Sequence, residues 1–145
     1  MGRGAGPFLR RNDMSAIDGL ARWHTVIENG SKPAELAAII HEDAVFHSPV
    51  VHTPQRGREL VVAYLSAAGQ TLGNDSFTYV RELVDGDNAM LEFETQMDDI
   101  HVNGVDIIRF DEDGTIVDFK VMVRPLKAVN KVWEQMAAML EAMKG

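Results

Sequence analysis

The stretch SFTYVRELVDGDNAMLEFETQMDDIHVNGVDIIRFDEDGTIVDFKVMVRP, Ser76 to Pro125, decides the fold. Apolar and polar residues alternate through SFTYVRELVDGD and NAMLEFETQM, which is the period of half-buried strands, and DGDN between them has hairpin-turn chemistry. IHVNGVDIIRFDEDG and TIVDFKVMVRP repeat the arrangement around DEDG. Pro125 stops the last strand because it has no N–H for a ladder. Four antiparallel strands are therefore predicted between residues 76 and 124.

Upstream the period changes to that of helices. From Ser15 onward Ile17, Leu20, Trp23, His24 and Ile27 recur at three- and four-residue steps, and Ser15 with Asp18 resembles a capping box. ENGSKP ends that helix, with Gly30 near the C-cap and Pro33 opening the next. Helices are predicted near 16–29, 34–41 and 57–71. A short strand, AVFHSPVV, lies between the last two, confined by Pro49 to an edge or a bend. A final helix from about 127 to 143 carries Val129, Val132, Met136, Met139, Leu140 and Met143 on one apolar stripe.

Helices first, then antiparallel strands, then a helix is an α+β order, since a parallel doubly wound sheet would alternate strand with helix. The expected architecture is one domain over residues 14–145. It is a cone-shaped, curved antiparallel sheet packed on the N-terminal helices, a cystatin-like barrel or roll, with a C-terminal helix. Such a cone leaves a hollow between sheet and helices that suits a small ligand. The opening MGRGAGPFLRRND, residues 1–13, reads as a disordered leader; its apolar part, AGPFL, is too short for a secretory signal.

With 46% hydrophobic residues in 145, the chain can build one core. Fourteen basic against 22 acidic side chains give a formal charge of −8, which disfavours nucleic acid or an anionic membrane as partner. No apolar run is long enough to span a bilayer. There is no cysteine, so thiolate chemistry and Cys-based zinc sites are excluded, and the expected compartment is the cytoplasm.

The signatures of phosphate cradles, zincins and serine hydrolases are absent. His41, His47, His52 and His101 match no metal-ligand spacing, so neither a metal nor a cofactor is expected. Glu92 and Glu94 charge one face of their strand, and Arg81, Arg109 and Lys120 on neighbouring strands are placed to pair with them. Asp106 stands apart. Strand parity groups it with Ile108 and Phe110, on the face opposite Arg109, and so turns it toward the hollow. A carboxyl there has a raised pKa and acts as an acid or hydrogen-bond donor. The other reading is a hydrated Asp near the open end, bonded to the HVNG turn.

The segments LARWHTVIENG, IIHEDAVFHSPV, GRELVVAYL and GVDIIRFDEDGTIVDFKVMVRPL, in that order, resemble the nuclear transport factor 2-like superfamily and its SnoaL-like branch, from about Ile17 to Leu140. The resemblance implies the cone-shaped sheet and a homodimer. Beside the ketosteroid isomerases of that superfamily, the general-base Asp falls at Ser48, the pocket tyrosine at Trp23, and the protonated Asp at Asp106. The base is missing, so steroid isomerisation of that kind is not expected. The polyketide cyclases of the branch use an acidic pocket residue, for which Asp106 is the candidate. The epoxide hydrolases need an Arg between two carboxylates, and Arg109 has the wrong parity.

Two functions follow. The first is a non-catalytic domain holding a small apolar molecule in a pocket lined by Trp23, Phe46, Ser48, Tyr64, Ile108 and Phe110. The second is a cofactor-independent isomerase, cyclase or dehydratase acting on an apolar carbonyl compound, with Asp106 as catalytic acid. An inward His or second carboxylate within reach of Asp106 favours catalysis; an apolar surround favours binding.

Overall fold

The computed structural model describes residues 11–143 of the chain, with side chains over 15–142. The leader expected over 1–13 lies largely outside the described residues, and the first helix begins at Arg11, ahead of Met14. In chain order the elements are α1 (Arg11–Glu28), α2 (Pro33–Ile39), β1 (Ile40–His47), β2 (Gln55–Arg56), α3 (Arg58–Leu72), β3 (Thr78–Asp85), β4 (Asn88–Met97), β5 (Ile100–Phe110), β6 (Ile116–Arg124) and α4 (Leu126–Met143).

The strands form one curved sheet in the order β2-β1-β6-β5-β4-β3, with both edges open. Strands β3 to β6 are an antiparallel meander. Gly86 and Gly114 take positive φ in two of its three turns, as those turn positions require, and Asp98 does so at φ 58 in the turn between β4 and β5. The sheet is nevertheless mixed, because β1 pairs β6 in parallel. Bulges at Tyr79/Arg81 and Arg109/Phe110 break the registers, and a bulge bends its strand.

Two local expectations need correction. The second helix ends at Ile39 rather than 41, where β1 begins as an interior strand between β2 and β6; of the edge or bend expected at Pro49, the bend is what is found. Ala44 and Phe46 point into the core with Val45 between them turned away, the alternation of a strand, after an irregularity between Ile40 and Val45. Pro49 lies beyond the end of β1, where its missing N–H breaks no ladder bond. Ser15 is not a helix cap either. It sits inside α1, and its hydroxyl donates to the Glu112 carbonyl at 2.6 Å, tying α1 to the β5–β6 turn.

Helices α1, α3 and α4 cover the concave face of the sheet. On β4 every second residue is buried, from Ala89 through Leu91, Phe93 and Thr95 to Met97. The aromatic core consists of Phe46, Phe93, Phe110 and Phe119, all essentially inaccessible; burying one such side chain contributes roughly 1.5–3 kcal/mol. The opposite face carries a polar row across four strands. Arg81 Nε lies 3.1 Å from Glu92. Asn103 Nδ2 donates to Glu92 at 3.1 Å, and Arg124 Nη1 donates to Asn103 Oδ1 at 3.1 Å. Exposed pairs of this kind contribute at most about 1 kcal/mol each, so the core and not the lattice holds the sheet.

Gly104 pairs with Phe93 across β4 and β5. A Cβ on Gly104 would collide with the Phe93 ring and stand 2.7 Å from the Met122 carbonyl oxygen. Gly104→Ala is therefore expected to destabilise the fold by about 1–3 kcal/mol through overpacking. Thermal unfolding followed by circular dichroism checks this, and an unchanged midpoint would refute it.

Candidate functional site: a buried carboxyl in an aromatic hollow

Asp106 occupies the middle of β5, flanked by Leu91 of β4 and Val121 of β6. Its neighbours Val105 and Ile107 point to the outer face, while Gly104, Asp106 and Ile108 point inward. Asp106 is only 6% exposed, and it lines a hollow between the sheet and the helices. The hollow holds about 750 Å³ with its open mouth counted, of which about 90 Å³ stands clear of the walls by a water radius. A free volume of that size limits an occupant to a small molecule. Its walls are nearly all apolar, with Trp23, Phe46, Phe77, Phe93 and Phe119 supplying the rings.

The carboxyl has one direct partner among the described residues. Tyr79 of β3 donates its hydroxyl to Asp106 Oδ2 at 2.7 Å, and Trp23 of α1 donates its indole N–H to the Tyr79 oxygen at 3.0 Å. The relay Trp23–Tyr79–Asp106 thus runs from helix to sheet. Tyr79 is held edge-on by Phe77, with ring centroids 5.0 Å apart, and by His24 at 5.5 Å. Its inward aim depends on the bulge at Val80. Tyr79 pairs with Phe93 and Arg81 with Glu92, so the extra residue lets Tyr79 face in and Arg81 face out.

Burial raises the Asp106 pKa from its ordinary 3.8 to about 7, and the Tyr79 hydrogen bond pulls it partly back. Burial, then the Asp106 charge, push Tyr79 well above its ordinary value of 10. Near neutrality Asp106 is thus divided between its two forms while Tyr79 keeps its proton. When protonated, Asp106 accepts from Tyr79 on Oδ2 and has a proton left to donate. The other carboxyl oxygen makes no hydrogen bond to a described residue.

The remaining residues named from sequence divide. Trp23 and Phe46 line the hollow with Asp106. Tyr64 packs behind, its ring 5.4 Å from Phe46. Ile108 and Phe110 are buried in the core beyond the hollow, where Phe110 fills the space beside Gly19. Ser48 is outside too: its hydroxyl accepts from the N–H groups of Val50 and Val51 at 3.1 and 3.3 Å, capping the turn after β1. Among the described residues no His or second carboxylate bonds Asp106. His24 and Glu82, 2.8 Å apart, meet Tyr79 instead, the His24 ring edge-on to it at 5.5 Å. No group of three His, Asp or Glu side chains among the described residues could share a metal ion.

Sequence reasoning missed Tyr79. The tyrosine of the isomerase comparison was placed at Trp23 on α1, whereas here β3 supplies the hydroxyl and Trp23 is its donor. The signal available was the aromatic pair Phe77 and Tyr79, two apart and so on one face of a strand.

The SnoaL-like domain family model matches residues 20–119. Among solved structures, a steroid Δ-isomerase from Pseudomonas aeruginosa is 37% identical, with a TM-score of 0.83 over 89% of this chain and 93% of that one. A bacterial protein with a cystatin-like fold from Silicibacter pomeroyi is 32% identical, with a TM-score of 0.76 over 83% of each chain. A nuclear transport factor 2-like protein from Mesorhizobium loti is 25% identical, with a TM-score of 0.66 over 78% of this chain and 93% of that one. No functionally curated protein matches the sequence.

Because the folded pKa of Asp106 is raised, its proton stabilises the native state fully below the unfolded value near 3.8, and that contribution is lost as pH climbs through about 7. A shift of this size corresponds to about 4 kcal/mol across the window. Asp106→Asn is expected to abolish the loss, leaving the variant more stable than the wild type at pH 8 and equal or weaker at pH 4. Asp106→Leu strands the Tyr79 hydroxyl without an acceptor and costs about 1–3 kcal/mol. Urea unfolding at both pH values and carboxyl NMR titration test this; a titration midpoint near 4 would refute it.

Proposed function

Because the chain belongs to the SnoaL-like domain family, we propose that its hollow binds a small, flat, apolar molecule through a carbonyl oxygen that accepts a hydrogen bond from protonated Asp106. At family level, the match and the isomerase neighbours support a small-molecule, isomerase-like function. The observation that carries the finer reading is a single buried carboxyl in an aromatic hollow, one oxygen held by Tyr79 and the other left for a ligand. A buried donor facing an apolar ligand discriminates strongly for an acceptor, since the mismatched alternative leaves it unpaired.

A second reading is favoured by the 37% identity to a steroid Δ-isomerase. Here the same contact would stabilise the enolate oxygen that develops when an apolar ketone loses a proton from its α-carbon. Asp106 would serve as the acid of a cofactor-independent isomerase, cyclase or dehydratase. That reaction also needs a group to take the carbon-bound proton. Ser48, at the position of the isomerases' base, has its hydroxyl oxygen engaged by two backbone N–H groups. The pure binding role therefore leads. Incubation with a β,γ-unsaturated steroid ketone separates the two, because turnover produces the ultraviolet absorbance of a conjugated ketone and binding alone does not.

The binding reading has a pH signature. A ketone such as 2-acetylnaphthalene can only accept, so it binds while Asp106 carries its proton. Its affinity is expected to fall above a pH of about 7, approaching about tenfold per unit. Asp106→Asn, whose amide still donates, should bind with no such fall. Isothermal titration calorimetry measures both, and a flat wild-type profile would sink the assignment.

The outer sheet face is proposed to meet a second copy of the chain. Leu83 and Met122 stand about half exposed there, beside the Arg81–Glu92 pair. Light scattering should give a dimer, and a monomer at high micromolar concentration would overturn this. No described helix is long and apolar enough to cross a membrane.

A further inference from the structure

Ser31 is a second polar group in the hollow, and nothing in the Asp106 relay uses it. It is 4% exposed, it lines the cavity, and its hydroxyl makes no hydrogen bond to any described residue. Its backbone, by contrast, is committed. Ser31 N–H donates to Val26 O and Gly30 N–H to Ile27 O, both at 3.0 Å, which closes α1 in the Schellman manner. That closure leaves Ser31 at φ 55, a conformation that side chains other than Gly, Asn and Asp seldom take. On α3 a Cβ at Gly69 would stand 2.5 Å from Ser31 Oγ. Only glycine at 69 leaves the room that the hydroxyl fills.

The Ser31 hydroxyl is not sealed from the hollow, and a polar group at the wall of an apolar cavity without a protein partner calls for an explanation. An occupant of the hollow supplies one. The two polar groups belong to different walls, Asp106 to the sheet and Ser31 to the α1–α2 turn where it rests on α3. The surface between them is aromatic and aliphatic.

We propose that Ser31 is a second anchor, and that the hollow selects flat apolar molecules with an oxygen at each end, a hydroxyketone or diketone rather than a simple ketone. The carbonyl at one end meets Asp106; the hydroxyl or carbonyl at the other meets the Ser31 hydroxyl. This rests on the reading of Asp106 as carbonyl donor and adds the specificity that reading lacks.

Two probe pairs test it at two lengths: 2-acetylnaphthalene against 6-acetyl-2-naphthol, and 4-acetylbiphenyl against 4-acetyl-4′-hydroxybiphenyl. Dissociation constants are measured at pH 6 for the wild type and Ser31→Ala. Ser31→Gly, which relieves the left-handed backbone, serves in its place if the alanine variant folds poorly. In at least one pair the added hydroxyl should tighten wild-type binding about fivefold, the usual scale of one hydrogen bond. That gain, the ratio of the two dissociation constants within a pair, should vanish in the Ser31 variant. A gain in neither pair, or one that survives loss of the Ser31 hydroxyl, as an ordered water or another contact would give, overturns the proposal while leaving Asp106 intact. Failure of all four probes to bind the wild type overturns this proposal and the carbonyl-binding reading together.

Discussion

The hydrogen bond from Tyr79 to Asp106 is the contact on which the interior of this protein turns. A carboxyl in the middle of a central strand, surrounded by Leu91, Val121 and aromatic rings, is costly unless it is neutral or partnered. Tyr79 partners one oxygen and burial favours the neutral form, so the two devices together keep Asp106 tolerable. Tyr79 is in turn fixed from three sides: by the Trp23 indole, by the edge-on rings of Phe77 and His24, and by the bulge that turns it inward. Helix α1, strand β3 and strand β5 thus meet at a single pair of oxygens.

The electrostatic character of the site follows from that arrangement. An acid–base pair is made by driving two pKa values apart, one group staying charged while the other stays neutral. Here burial drives both Asp106 and Tyr79 upward. While Asp106 keeps its proton, the result is a pair of donors in series, Tyr79 toward Asp106 and Asp106 toward the hollow. Such a pair can polarise an oxygen. The Arg81–Glu92 pair and the polar row to Arg124 lie on the other face of the sheet.

The fold was legible because its signals are periodic. Alternation through β4, β5 and β6 and the glycine-containing turns at Gly86 and Gly114 place the meander almost to the residue, and the inward aim of Asp106 follows from the same period. What was not legible lies where the period fails. With Arg81 on the outer lattice, strict alternation sends Tyr79 outward too; only the bulge at Val80 lets both take their observed faces, and nothing local in TYVRE marks it. The parallel pairing of β1 with β6 joins segments about seventy residues apart, a relation that no local pattern encodes. Ile108 and Phe110 have the right parity but lie farther along β5 than the hollow reaches, so parity identified the face without giving depth. Ser31 carries no such signal, because ENGSKP reads as a helix stop, and the same closure that ends α1 also places Ser31 on the cavity wall.

Because side chains alternate with a period of two, a one-residue slip of β5 against β4 would expel Asp106 to the outer face and bury Ile107 in its place. The Phe93–Gly104 pair opposes that slip. In register, the Phe93 ring lies over the one inward position of β5 without a side chain, within reach of both Phe77 and Tyr79. Moved by one residue, the same ring would face Asn103 or Val105, and the space at Gly104 would be left unfilled. The register that buries the carboxyl is therefore held by a void-filling contact two residues away. That same contact keeps the aromatic wall of the hollow beside the acid it surrounds.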